Sequence, residues 1–194
     1  MSDRENALDF FQNYLPGELV KDLDLQTLKL QKDTFVDDTL NEGFSDTLYR
    51  VNFKTGGNAF LYVLFDHKSR PDRFTALQLL SYMVKIWQSH RNVSGKKKRK
   101  EKLPLILPIV VYHGQKTWNH GNSLESLFEF PEHYRKFVPN FEFLFYDLPK
   151  VEDEHFTGNE VLQASFTLFK YTFHPDLGEK LGAILQKLEN IKPY

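Results

Sequence analysis

Apolar residues recur at Ala7, Leu8, Phe10, Phe11, Leu15 and Leu19, a helical spacing that Pro16-Gly17 interrupts. This predicts a helix, a turn and a short second helical piece over residues 5–20. Leu25, Leu28 and Leu30 predict only a short connector, extended or helical. The acidic stretch 34–41 predicts a further helical turn, closed by Gly43. Residues 47–53 then alternate loosely, whereas the run from Ala59 to Phe65 is apolar throughout. Lys54-Thr55-Gly56-Gly57-Asn58 between them is turn chemistry, so the two runs predict a β-hairpin. A strand apolar on both faces belongs in the middle of a covered sheet.

Pro71-Asp72 opens a long helix predicted to reach about His90, with Asp72 placed to favour its N-terminus. Phe74, Leu77, Leu80, Val84 and Trp87 form one apolar face of it, and Leu79, Met83 and Ile86 a second. Thr75, Gln78, Tyr82, Lys85 and Ser89 fall between, at spacings of three and four. A helix apolar on two sides is expected to be buried on both, so this polar stripe would need partners. Residues 103–112 are a second continuous apolar run, with Pro104 and Pro108 limiting its ladder bonding. Residues 141–148 read as a last strand, and 159–191 as two helices broken near Pro175. The order predicts a mixed sheet flanked by helices, α/β or α+β in class. Residues 1–155 are assigned to one domain, and 156–194 to a C-terminal helical segment packed on it.

Composition narrows the chemistry. The 194 residues include no cysteine, which removes disulfides and thiolate metal sites and leaves oxygen or imidazole as ligands. No apolar run approaches the roughly 20 residues of a membrane span, and no signal-peptide pattern opens the chain, so a cytoplasmic protein is expected. The net charge of −1 gives no global case for nucleic acid, but Lys96-Lys97-Lys98-Arg99-Lys100 is five consecutive cations. Such a run is more often a solvated loop; its functional reading is an arm that neutralises phosphates.

Asp66 and Lys68 follow directly on the central apolar strand, two apart and therefore on one face in extended chain, with His67 pointing away. Asp46 heads the partner strand of the hairpin and can lie beside Asp66. Two close carboxylates repel, a conflict that a hard divalent cation such as Mg²⁺ resolves. Lys68 would add a compact positive charge beside a phosphate or hydroxide, completing the parts for metal-assisted phosphodiester hydrolysis. The bland reading is a turn-capping Asp46 and a strand-end ion pair. Gln78 and Tyr82 either bond to the sheet edge or line the site and orient Lys68 or the phosphate. Tyr112-His113-Gly114 ends a buried strand, followed by Trp118 and His120; His113 reads as a structural turn residue sooner than a phosphate or metal contact. Glu18 reads as an exposed acid and Glu152-Asp153-Glu154 as a solvated loop.

Asp46 with Asp66-x-Lys68 resembles the PD-(D/E)xK nuclease signature, and Gln78-x-x-x-Tyr82 is similar to the accessory motif of its RecB-like branch. The ordered set Asn13-Tyr14-Leu15-Pro16, Ser45-Asp46-Thr47-Leu48-Tyr49, Asp66-His67-Lys68-Ser69, Ser81-Tyr82-Met83, Leu103-Pro104 and Tyr112-His113-Gly114 resembles the Rpn family of recombination-promoting nucleases, also labelled putative transposases. That resemblance implies a restriction-endonuclease-like fold and a DNA endonuclease dependent on Mg²⁺ or Mn²⁺, linked to recombination or mobile DNA, and hence a nucleoid-associated location. By motif position it implies Asp46 and Asp66 as metal ligands, the His67 backbone carbonyl as a third, and Lys68 as the catalytic cation. Many members carry glutamate-histidine-glutamine at the triplet, so Lys68 restores the general nuclease lysine here. An N-terminal helix usual in the family is not found, so the chain is expected to be shortened at both ends. Double-strand cutting with one active site per chain would favour a homodimer. The alternative is a nuclease fold that binds DNA or a partner without cutting.

Overall fold

The computed structural model describes residues 4–31, 44–66, 71–93 and 102–189. The first helix, α1 (Arg4–Tyr14), ends before Pro16, and α2 (Gly17–Asp22) leads straight into β1 (Leu23–Gln31). The hairpin is β2 (Phe44–Phe53) with β3 (Asn58–Asp66), paired antiparallel from Phe44↔Asp66 to Asn52↔Asn58. Its turn places Gly56 and Gly57 at φ 99° and 84°, a region that side-chain-bearing residues rarely adopt. The long helix α3 (Thr75–Val93) then returns the chain to β4 (Leu105–Tyr112), parallel to β3, and β5 (Leu144–Asp147) adds in parallel beyond it. The sheet order is β1-β2-β3-β4-β5, so β3 is central. The chain closes with α4 (Glu160–Tyr171) and α5 (Leu177–Glu189), separated around Pro175. This is a five-stranded mixed sheet with helices on both faces, the restriction-endonuclease-like α/β arrangement.

Two clusters cover the two faces. Ala7, Phe10 and Phe11 of α1 and Leu162 and Phe166 of α4 pack with Leu61, Val63, Ile109 and Val111 on one side. Leu79, Tyr82, Met83 and Ile86 of α3 pack with Phe60, Tyr62, Leu64, Val110 and Tyr112 on the other. Residues of β3 therefore alternate between two cores, which is why its sequence shows no polar face. Asp72 tightens the start of α3 by accepting from the Phe74 amide at 2.8 Å. Asn159 does the same for α4, accepting from the Leu162 amide at 2.9 Å. β5 joins β4 only from Ile109 onward, so Pro108 stands just outside that second ladder.

Three expectations change. The segment around Leu25 to Leu30 is a full edge strand of nine residues rather than a connector. Between the Asp24↔Asn52 and Lys29↔Arg50 pairs its register slips, five steps along β1 matching two along β2. Thr27 repairs the bulge, donating to the Asp24 carbonyl at 2.6 Å and accepting from the Asn52 amide at 2.9 Å. Second, α3 is buried along one side only: Phe74, Leu77 and Val84 are 52%, 47% and 38% exposed. The sheet covers one flank of the helix and no further layer among the described residues covers the other. Third, the last strand begins at Leu144, because Glu142 makes an isolated bridge with Ser123 instead of joining the ladder. The stretch 34–41 lies outside the described residues.

Candidate active site

The hairpin register fixes where the two acids sit. Asp46 of β2 is directly opposite Leu64 of β3, and Asp66 is two residues beyond Leu64 on the same strand. Residues opposite in an antiparallel pair share a face, as do residues two apart in a strand. Leu64 and Leu48 both belong to the core beneath α3, so Asp46 and Asp66 hold diagonal positions on that face. Diagonal neighbours of this kind have Cα atoms about 7–8 Å apart. Asp66 is also level with Tyr112 at the end of β4. His67 and Lys68 lie outside the described residues, as does the basic run 96–100.

The helix above runs back along β3. Its end lies near the strand's start, with the His90 and Phe60 rings 6.4 Å apart, and Trp87 Nε1 donates to the Pro104 carbonyl at 2.9 Å. Its middle lies over the strand's middle, where the Tyr82 ring sits 5.2 Å from that of Tyr62. One turn from Tyr82 to Gln78 advances about 6 Å, close to the rise of about 6.6 Å for two strand residues. Gln78, half-buried one turn before Tyr82, lies on the side of that contact towards the end of β3. Tyr82 is 4% exposed and packs against the sheet, so the two residues of that motif occupy different surroundings.

The remaining candidates separate cleanly. His113 follows Tyr112 and so turns to the opposite face, where it is buried and stacked on Phe169 at 4.9 Å. That is the structural role. Trp118 packs on Tyr112 and Phe145, and its Nε1 donates to the His120 carbonyl at 2.8 Å. Glu18 is exposed on α2, which leads into Leu23, and Leu23 pairs with Phe53 at the end of β2 remote from Asp46. Asp153 is no solvated loop residue: Lys170 and Lys180 pair with it at 2.8 and 2.7 Å, and Tyr171 donates to it at 3.1 Å. Burial opposes its ionisation, but those hydrogen bonds outweigh it and hold the carboxyl at about 2. No sequence signal marked this cluster, because its members lie on three separate elements. Among the described residues, no group of three His, Asp or Glu side chains is arranged to hold a metal. No helix among them is long and apolar enough to cross a membrane.

A helix-flanked mixed sheet with two acids at the open end of its central hairpin, on β2 and β3, defines a nuclease-like class of fold. The profile of the family described as "Putative transposase, YhgA-like" matches residues 1–193. The chain belongs to this family, which includes the recombination-promoting nucleases. It is 34% identical over 113 residues to "Recombination-promoting nuclease RpnC" of Escherichia coli K12, covering 58% of this chain and 36% of that protein. It is 35% identical over 113 residues to RpnD of E. coli O157:H7, covering 58% and 42%. It is 32% identical over 152 residues to "Inactive recombination-promoting nuclease-like protein RpnE" of E. coli K12, covering 77% and 48%. The chain thus spans less than half the length of these three relatives. No solved structure matches it.

Proposed function

We propose that this protein is a divalent-metal-dependent DNA endonuclease acting in recombination or on mobile DNA. The observation that carries the reading is the diagonal register of Asp46 and Asp66 on one face of the central hairpin. A separation of about 7–8 Å between Cα atoms lets two short carboxylates converge on a single ion. The all-oxygen donor set fits Mg²⁺ or Mn²⁺, and the motif position of His67 would make its backbone carbonyl a third ligand. Such an ion supplies Lewis-acid polarisation of a phosphodiester. Lys68, two residues after Asp66 in the sequence, would supply a compact positive charge to the phosphate as it becomes more negative. Gln78, one turn before Tyr82 on α3, would orient Lys68 or a phosphate oxygen by hydrogen bonding. Tyr82 acts through packing, holding α3 over the hairpin.

The test is cleavage of plasmid DNA by the purified protein with Mg²⁺ or Mn²⁺. Asp66→Asn is expected to abolish cutting and to remove the calorimetric heat of Mn²⁺ binding. Lys68→Ala should slow cutting by about a hundred- to a thousandfold, the usual cost of losing one charge-stabilising group, while Mn²⁺ still binds. Cutting by Asp66→Asn at the unaltered rate would sink the assignment. A second reading is favoured by one observation: RpnE, which matches over 77% of the chain, carries the name of an inactive protein. On that reading the protein binds DNA without metal-dependent cutting.

A further inference from the structure

β1 and β2 carry a row of polar residues on the same face as Asp46, beyond the edge of α3. Lys29 of β1 stands directly opposite Arg50 of β2, and Gln31 opposite Leu48. Leu48 belongs to the core under α3, and Phe60, the partner of Arg50 on β3, does too. The parity of β2 therefore puts Arg50, and Lys29 across from it, on the face of Asp46. Both cations are exposed. Neither has an ion-pair or side-chain hydrogen-bond partner among the described residues. Asp24, opposite Asn52, is the nearest acid in the row, and no ion pair joins it to Arg50.

Like charges directly opposite one another destabilise a strand pair. Here that cost is met at two exposed positions towards the β1 edge of the face that α3 covers, four residues along β2 from Asp46. At about 3.4 Å per residue the interval is about 14 Å, comparable to about four nucleotides along a duplex axis. Two such cations to one side of a candidate phosphodiester-cleaving site suit an anion with repeated charge. We propose that Lys29 and Arg50 bind the DNA phosphate backbone and seat the duplex across β1 and β2, one side of the Asp46–Asp66 corner. This rests on the nuclease reading for its orientation, and on the row itself for the binding.

Fluorescence anisotropy of a labelled duplex oligonucleotide, without divalent metal and over a series of salt concentrations, tests it. Each phosphate contact contributes about 0.9 to the slope of log affinity against log salt, so Lys29→Gln/Arg50→Gln should lower that slope by about 1.8. Affinity near 0.1 M salt should fall roughly tenfold or more. Each single variant should lose about half of the slope change, which guards against a defect peculiar to the double variant. The melting temperature should hold or rise, since a repulsion is removed. An unchanged slope in a folded double variant overturns the proposal and leaves the pair as protection of an edge strand. If the slope is unchanged but Asp66→Asn still abolishes cutting, only the seating falls. If the slope drops but the unaltered protein cuts no DNA, the nuclease reading falls and the seating stands. No binding by the unaltered protein overturns the seating as well.

Discussion

Tyr82 of α3 and Tyr62 of β3 pack ring to ring, centroids 5.2 Å apart and planes inclined by 36°. Both are almost fully buried, and the contact sits one helical turn from Gln78 and two strand residues from the level of Asp46. It sets the height of the helix above the candidate site. Truncation to Tyr82→Ala should cost about 3–4 kcal/mol, as for a large aromatic removed from a core. Tyr82→Phe keeps the ring and should lose much less. Urea unfolding measures both, and equal losses would mean that the hydroxyl, not the packing, holds the helix.

Acid stability should depend on Asp153, which ties the segment after β5 to α4 and α5 through Lys170, Tyr171 and Lys180. Its folded pKa of about 2 lies below the usual 3.8, so the carboxylate stabilises the fold above pH 4. That stabilisation is lost as pH falls from about 4 through 2. The group is near enough to water for screening to reduce the effect, so Asp153→Asn should cost about 1 kcal/mol at neutral pH. Thermal melts of the two proteins should converge as the pH approaches 2; a gap that stays constant would assign the loss to packing.

Alkaline stability should depend on Tyr146. Its hydroxyl donates to the Tyr14 carbonyl, and burial first, then the neighbouring Tyr14, pushes it up to about 12. A folded pKa raised above the usual 10 means that stability is intact below pH 10 and lost as pH rises towards 12. Tyr146→Phe should flatten that alkaline limb, at a cost of about 1 kcal/mol near neutrality for the lost hydrogen bond. Titration of tyrosinate absorbance, compared between the two proteins, should show one late-ionising group disappear.

Much of the scaffold was legible because its signals are local. Gly56-Gly57 between two apolar runs marked the hairpin, Asp72 marked the start of α3, and Pro175 marked the break before α5. The strand β1 was not legible, and the bulge explains why. Leu23 and Leu25 keep a period of two, as do Leu28 and Leu30, but the slip between Asp24 and Lys29 changes the parity between the pairs. The exposure of Phe74, Leu77 and Val84 was also hidden, since periodicity shows which residues share a helix face but not which faces are covered.

The sequence by itself determined that Asp46 and Asp66 belong to adjoining strands of one hairpin, because turn chemistry and strand period are short-range properties. Only the tertiary structure decided that the two acids take diagonal register positions on the face under α3, since that depends on hairpin register and on which face the returning helix covers. It alone decided that Lys29 meets Arg50. In an unbroken ladder continuing from Asp24↔Asn52, Lys29 would stand opposite Thr47; the bulge held by Thr27 moves it three places along β2. The slip that keeps Leu23, Leu25, Leu28 and Leu30 on one core thus also sets the charge pattern of the opposite face.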